Sequence, residues 1–475
     1  MEKLELPITG YLDRWSHRPG ETFSVHVSVR DGGAYRAQVQ RVVSADPNPA
    51  GPGMRLDFLP GVLDRTCSGR RQAIRLGSYG VAAPGPVRDA RAACTWTVLV
   101  WSGALETEST VLSEQDAQSR VALRVAQSSA SAELAWPGGA LRVATEAQLK
   151  SRRWYRVWLA ADPQTGRVAI GQRQLGQGAP DTATGEGKNL VLPSGGPVLF
   201  AAENFHTPER HFTGKLEAPA IFSGWYDAGP REPPADAVLA AWDFADGIGS
   251  QTVTDTGPQR RHGRLVNVPT RGVVGTHWSG REMCWRHAPR DYAAIHFHAD
   301  DLADCEWEPD FSWTVPDDLP SGAYALHLTC ANGEDWLPFY ALPKRGGPHA
   351  PIAFVAPTFT YQAYANHARG NTDDAHFARV MEWGAYPANP DQYPVYGRST
   401  YNVHADRSGF AFSSRRRPII TMRPGFMTFN DPRGSGIRHY PGDTHLLAWL
   451  NAKGFAFDVI TDEDLDDEGV ELLAP

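Results

Sequence analysis

The chain has 475 residues, 41% of them hydrophobic, with a formal net charge of −8 and a pI near 6.1. That length predicts roughly three domains of about 150 residues each, and the acidic balance excludes nucleic acid as the main partner, because binding phosphates needs a basic surface. No stretch approaches the ~18 unbroken apolar residues of a membrane span, and the opening Met-Glu-Lys-Leu-Glu-Leu lacks the basic and apolar regions of a secretory leader.

Five widely spaced cysteines (Cys67, Cys94, Cys284, Cys305 and Cys330) contain no CxxC pair. An odd number so dispersed suits reduced thiols in a cytoplasm better than a disulfide framework or a zinc site. With 15 tryptophans, 46 glycines and 37 prolines, much β structure with many turns is expected in a soluble, cytoplasmic protein.

Residues 1–70 read as a β segment. Phe23–Val29 alternates apolar and polar residues, the period of a half-buried strand, with turn chemistry at Pro19-Gly20 and Asp31–Gly33. Residues 71–228 carry further strands at Thr95–Trp101, Trp154–Ala160, Arg167–Gly171 and Phe212–Phe222. Their spacing and aromatic positions resemble a laminin-G or concanavalin-like jelly roll, a class that binds carbohydrate or calcium. Asp162 is a candidate ligand there, although an aspartate opening a turn more often bonds its own backbone. Ala228–Ala235, rich in proline, reads as a linker.

Residues 229–345 again read as strands, with clean alternation over Ser321–Cys330, and form a sandwich-like domain that the N-terminal strands complete around an inserted jelly roll. Within it, Ala294-Ile-His296-Phe-His298-Ala-Asp300-Asp301 has metal-ligand spacing, since positions i and i+2 of a strand share a face. Partner histidines are not obvious downstream, so a structural role outweighs a metal role at this point.

From 346 onward the pattern becomes α/β. Strands are predicted over 351–357, Arg417–Met422 and Phe455–Ile460, with helices over Asp373–Trp383 and over Thr444–Lys453, the latter capped by Asp443 and closed by Gly454. Such short links imply parallel strands with right-handed crossovers. Three strands make a meagre sheet, and the acidic run 466–469 before Val470-Glu-Leu-Leu473 reads as the approach to a further strand, so an incomplete C-terminus is expected. Two tyrosine clusters, Tyr361 and Tyr364 directly after the first of these strands and Tyr396 and Tyr401 further on, lie where open α/β sheets hold their ligands.

The motifs Ala356–Asn366, Tyr396–His404, Arg417-Pro418 with Met422–Pro424, and Asp443–Leu450 leading into Asp458–Leu465 resemble the large, catalytic subunit of the N,N-dimethylformamidase family. The resemblance spans the chain. It implies an α+β multidomain protein: a β-sandwich and jelly roll followed by an amidotransferase-like α/β domain over 346–475, truncated here. It also implies hydrolysis of a small N-substituted formamide to formate and an amine, a small helical partner subunit, self-association of the large subunit, and a mononuclear Fe3+ held by two tyrosines and a glutamate.

Carried over by motif, Tyr361 and Tyr401 match the phenolates, with Tyr364 and Tyr396 as the alternatives. The glutamate would fall in a His-Pro-Glu-Tyr stretch that this sequence does not contain. Phenolate is a hard anionic donor suited to a small, highly charged ion. Bound iron would polarise the formamide carbonyl and acidify a coordinated water. His404 and His445 are possible bases, and Arg398 and Arg423 possible structural partners of carboxylates. The competing reading is a non-catalytic carbohydrate- or protein-binding β protein with a vestigial α/β domain, in which the tyrosines only pack.

Overall fold

A computed structural model describes residues 4–226, 234–429 and 434–473. The chain divides into two compact units: residues 76–301 with 403–408, and residues 1–75 with 302–402 and 409–475. The linker expected over 228–235 lies outside the described residues except for Pro234 and Ala235. Among the described residues no helix is long and apolar enough to cross a membrane.

The unit built mainly from 76–301 is antiparallel β throughout its long sheet path. Strand Trp154–Asp162 pairs with Cys94–Ser102 on one side and Arg167–Gln174 on the other. The path turns back on itself, so that Ala130–Trp136 packs against Arg167–Gln174 and Gly139–Ala144 against Asp181–Glu186, giving two layers. Trp96, Val98, Leu123, Val157, Ile170 and Phe200 fill the space between them, each worth roughly 1.5–3 kcal/mol of burial. Trp158 stands opposite Gly171, where an added Cβ would come within 2.1 Å of the indole, so only glycine leaves room for it. The layered β architecture matches expectation. Asp162 behaves as a turn residue, accepting from the Gln164 amide (2.9 Å) and the Thr165 hydroxyl (2.8 Å).

The other unit joins both ends of the sequence. Ile8–Leu12 and Phe311–Thr314 flank Thr22–Val29 in one small sheet, while Gly33–Ala45, Gly322–Cys330 and Gly333–Ala341 form the heart of a second. Between them lie Phe23, Val25, Val39, Leu326 and Phe339. A buried ionic knot ties this unit together: Asp335 accepts from the Thr9 hydroxyl (2.7 Å), the Tyr386 hydroxyl (2.9 Å), and Nε and Nη2 of Arg423 (both 2.9 Å). Arg423 Nη2 also donates to the Gly10 carbonyl at 2.9 Å.

Beyond residue 345 the α/β expectation is met only in part. Ala353–Ala356 and Asp458–Thr461 pair in parallel, in register Ala353 with Asp458, and make a two-stranded sheet. Helix α1 (Thr358–Ala363) follows the first strand, and α2 (Asp374–Glu382) starts on Asp373, whose side chain accepts from the His376 amide at 2.8 Å. The strand expected over Arg417–Met422 is absent: this stretch is irregular and ends in a 3-10 turn at Ile420–Met422. Its ladder groups are already engaged, the Ile420 amide with Asn366 Oδ1 (2.8 Å) and the Pro418 carbonyl with Asn366 Nδ2 (2.9 Å). Arg417 is buried and donates to the carbonyls of Tyr396, Arg398 and Ser414. A short apolar run reads the same whether it is buried as strand or as coil.

Helix α3 (Tyr440–Lys453) begins four residues before the expected start, with Pro441 in its first turn, where the missing N–H costs nothing. Asp443 is therefore not its cap but a first-turn residue. Gly454 does close the helix in the left-handed conformation (φ 72°). The acidic tail read as the approach to a strand is instead helix α4 (Asp462–Glu468) followed by a 3-10 turn, Gly469–Leu473. Thr461 and Asp464 form a reciprocal capping box, and three acidic residues sit at the positive end of the helix dipole.

Candidate functional site

The first tyrosine cluster follows Ala353–Ala356 directly. Tyr361, on α1, faces inward: its ring meets Tyr440 edge-on (centroids 6.3 Å apart), and its hydroxyl donates to Asp443 Oδ2 at 2.5 Å. Burial, reinforced by neighbouring Tyr340 and Asp443, drives its pKa far above the ordinary phenol value. In this environment Tyr361 stays a neutral hydrogen-bond donor. Tyr396 is equally buried, and its hydroxyl accepts from the Leu6 amide at 2.8 Å.

The other two tyrosines come together. Tyr364, which ends α1, and Tyr401, held by a turn in which Ser399 Oγ accepts from the Tyr401 amide (3.0 Å), stack with ring centroids 4.0 Å apart and planes 10° from parallel. The Tyr401 hydroxyl and, opposed by burial, the Arg438 guanidinium lower the Tyr364 pKa, whereas Tyr364 raises that of Tyr401. Arg438 lies 4.2 Å from the centre of the Tyr364 ring, a cation–π contact. Among the described residues no ring contact or hydrogen bond joins Tyr361 to Tyr401, the two tyrosines favoured from sequence, whereas the rings of Tyr364 and Tyr401 stack.

Two imidazoles complete this cluster. The His439 ring lies 4.4 Å from Tyr364, and His367 lies 5.7 Å from Tyr364 and 6.0 Å from Tyr401. Burial, then the charges of Arg438 and His367, push His439 down to about 4, so it is neutral across the neutral range. Its Nε2 is buried with no hydrogen-bond partner among the described residues. The backbone of His439 is left-handed (φ 54°), an uncommon conformation for a residue with a side chain. Sequence reading missed His367, Arg438 and His439. The signal available was their aromatic and basic character close to the tyrosine motifs, which spacing alone does not bring together.

The remaining candidates have structural partners. His445 Nε2 pairs with Asp46 Oδ2 (2.7 Å), and Arg423 with Asp335. His296, His298, Asp300, Asp301 and His404, however, gather in the β unit together with Asp406. His296 Nε2 lies 2.8 Å from Asp406 Oδ2, His298 Nδ1 is 3.3 Å from Asp301 Oδ2, and His404 Nδ1 is 2.7 Å from Asp300 Oδ1. Burial raises the Asp406 pKa, but hydrogen bonds from His296 and from the hydroxyl and amide of Ser408 outweigh it and hold the carboxyl well below its ordinary range. Burial lowers His296.

Residues 270–475 match the family described as N,N-dimethylformamidase beta subunit-like, C-terminal. The N,N-dimethylformamidase beta subunit of Paracoccus aminophilus is 32% identical over 519 aligned positions, which cover 98% of this chain and 66% of that protein. The beta subunit from an Alcaligenes species is also 32% identical, over 520 positions, 99% of this chain and 66% of its own length. The chain thus spans about two thirds of the length of the curated relatives it matches. Among solved structures, a putative carbohydrate binding protein from Bacteroides ovatus is similar over 54% of this chain and 95% of its own, at 14% identity and a TM-score of 0.30. That likeness is too slight to carry fold or function.

Proposed function

From the kinship of this chain with N,N-dimethylformamidase beta subunits along nearly its whole length, we propose that it is a hydrolase of the C–N bond in small N-substituted formamides, releasing formate and an amine. The observation that supports this most is the Tyr364–Tyr401 pair. Two stacked phenol rings, one with a lowered pKa, sit beside a neutral imidazole whose Nε2 has no hydrogen-bond partner among the described residues.

That donor set fits a hard, highly charged ion such as ferric iron. Tyr364 and Tyr401 would hold it, with a further donor from outside these two motifs. Tyr361 is set aside for this role, because its proton is committed to Asp443 and its burial opposes phenolate formation. When bound, the ion would supply Lewis-acid polarisation of the formyl oxygen and a more acidic water. The chain's own residues do the rest. Arg438 favours the Tyr364 phenolate, and His439, kept neutral, adds no competing positive charge. A tertiary formamide has no N–H to recognise, so stacked aromatic rings around its methyl groups are a suitable means of selection. Water adds to the formyl carbon, the C–N bond breaks, and the amine leaves carrying the transferred proton.

The relatives are named as subunits, and assembly with a small helical partner and with further copies of this chain belongs to the same proposal. The test is the full chain, expressed with iron and with its partner subunit. The expected result is about one iron per chain, a tyrosinate-to-iron absorption band in the visible, and formate release from N,N-dimethylformamide. A colourless, iron-free and inactive complex overturns the reading.

A further inference from the structure

The His-x-His motif of the β unit is not used by the proposed chemistry, yet it is the core of a second constellation. His296 lies on strand Ala294–Phe297 and His298 directly after it, so both imidazoles project from one face. The short segment Val403–Ser408 belongs to the same unit and brings Asp406 to that face. Asp406 Oδ2 is 2.8 Å from His296 Nε2 and 3.8 Å from His298 Nε2. All three side chains are buried.

Two groupings of ligand atoms are possible here, His296 with His298 and Asp406, and His298 with Asp301 and His404; each lies within 4.8 Å. Ring geometry decides between them. The imidazoles of His298 and His404 are stacked, 3.6 Å apart and 3° from parallel. A nitrogen lone pair lies in the plane of its ring, so two stacked rings cannot both direct theirs at one ion. His296 and His298 are tilted by 41°, and their Nε2 atoms share one carboxylate oxygen as neighbour.

We propose that His296, His298 and Asp406 form a binding site for a divalent transition metal of the zinc class. The two-imidazole, one-carboxylate set has the borderline nitrogen–oxygen character that zinc and cobalt prefer, and leaves an open position. The surroundings are those of a supported site. His298 Nδ1 faces Asp301, which is itself held by the Ser78 hydroxyl at 2.6 Å, while Nε2 lies 2.9 Å from the Ser408 hydroxyl oxygen, a contact that a bound metal would displace. Ser408 donates to the other oxygen of Asp406 through its amide (2.9 Å) and its hydroxyl (2.6 Å), fixing the plane of the carboxylate. Gly103 makes space for it: an added Cβ would lie 2.5 Å from Asp406 Oδ2. Three carboxylates, Asp300, Asp301 and Asp406, offset the nearby cations Lys215 and Arg152. On binding, the metal replaces the proton that His296 shares with Asp406, and that proton leaves to solvent.

The site is independent of the tyrosine cluster, and the test keeps the two apart. The full chain, stripped with EDTA, is titrated with Co2+ and then with Zn2+. One Co2+ per chain with ligand-field bands, displaced by Zn2+, is expected. Asp406→Asn and His296→Gln should each weaken binding at least ~10-fold, while Tyr364→Phe and Tyr401→Phe leave it unchanged. In the unmutated, zinc-loaded protein, X-ray absorption at the zinc edge should show two imidazoles, a readout that does not require any variant to fold. Absence of bound cobalt, affinity equal in all variants, or a zinc shell without imidazole overturns the proposal.

Discussion

Removing the carboxylate at Asp335 is the sharpest test of how the terminal unit holds together. Asp335 is fully buried, as is Arg423, and the pair is bidentate, with Thr9 and Tyr386 filling the remaining acceptor positions. In Asp335→Asn the guanidinium keeps its desolvation cost but loses its counter-charge, a change worth roughly 3–5 kcal/mol. For units of about 150–250 residues each kcal/mol shifts Tm by roughly 2–4 °C, so the transition of this unit should fall by about 6–20 °C. Differential scanning calorimetry reads this directly. Asp57→Asn is the control, because the Arg55–Asp57 pair is exposed and should contribute under ~1 kcal/mol. If Asp335→Asn melts within about 2 °C of the unmutated chain, the ionic knot is not what fastens Thr9, Tyr386 and Arg423 together.

The tyrosines should separate by function. Tyr361→Phe strips the hydroxyl from half-buried Asp443 and should cost about 1–3 kcal/mol in urea unfolding while leaving iron content intact; Tyr364→Phe should do the reverse, abolishing the visible band with under ~0.5 kcal/mol change. Acid should expose His17, which is pushed down to about 3 by burial and stacks on Phe23 at 4.0 Å. Its folded pKa lies below its unfolded value of 6.5, so stability present above pH 6.5 drains away as pH falls toward 3. By pH 4.5 the loss should be about 2–3 kcal/mol. A unfolding series showing no change between pH 7 and 4.5, or the same change in His17→Phe, refutes this. Among the thiols, burial pushes Cys94 up to about 12 and raises Cys305 further, so native alkylation followed by mass spectrometry should spare both while labelling Cys67, Cys284 and Cys330.

Much of this architecture was legible in the sequence wherever side-chain periodicity and caps act locally. Phe23–Val29, Trp154–Ala160 and the helix after Asp373 all lie within a residue or two of their expected places. Gly454 closes its helix as a C-terminal glycine should. The failures share a cause. Arg417–Met422 has a strand's composition, but Asn366, more than fifty residues earlier, takes its backbone groups. Asp443 has a cap's composition, but Tyr361 claims its carboxylate. Both reassignments are made by distant partners that no local window contains. The tyrosines follow the same pattern: sequence offers Tyr361 and Tyr364 alike, and only the folded chain shows that the Tyr361 hydroxyl is taken by Asp443, 82 residues away, while the Tyr364 ring stacks on Tyr401. The histidine constellation was only half visible, since Asp406 lies 108 residues beyond His298 in the chain.

The route of the polypeptide has a practical consequence for anyone dissecting the molecule. The β unit is not a continuous stretch: six residues, Val403–Ser408, return to it long after residue 301, and they carry both His404 and Asp406. A clone cut to residues 76–301 would therefore leave His296 and His298 facing water in place of their carboxylate and stacking neighbour. Binding measured on such a fragment would describe a different surface, and supplying 403–408 as a tethered peptide is the complementation that would restore the native one.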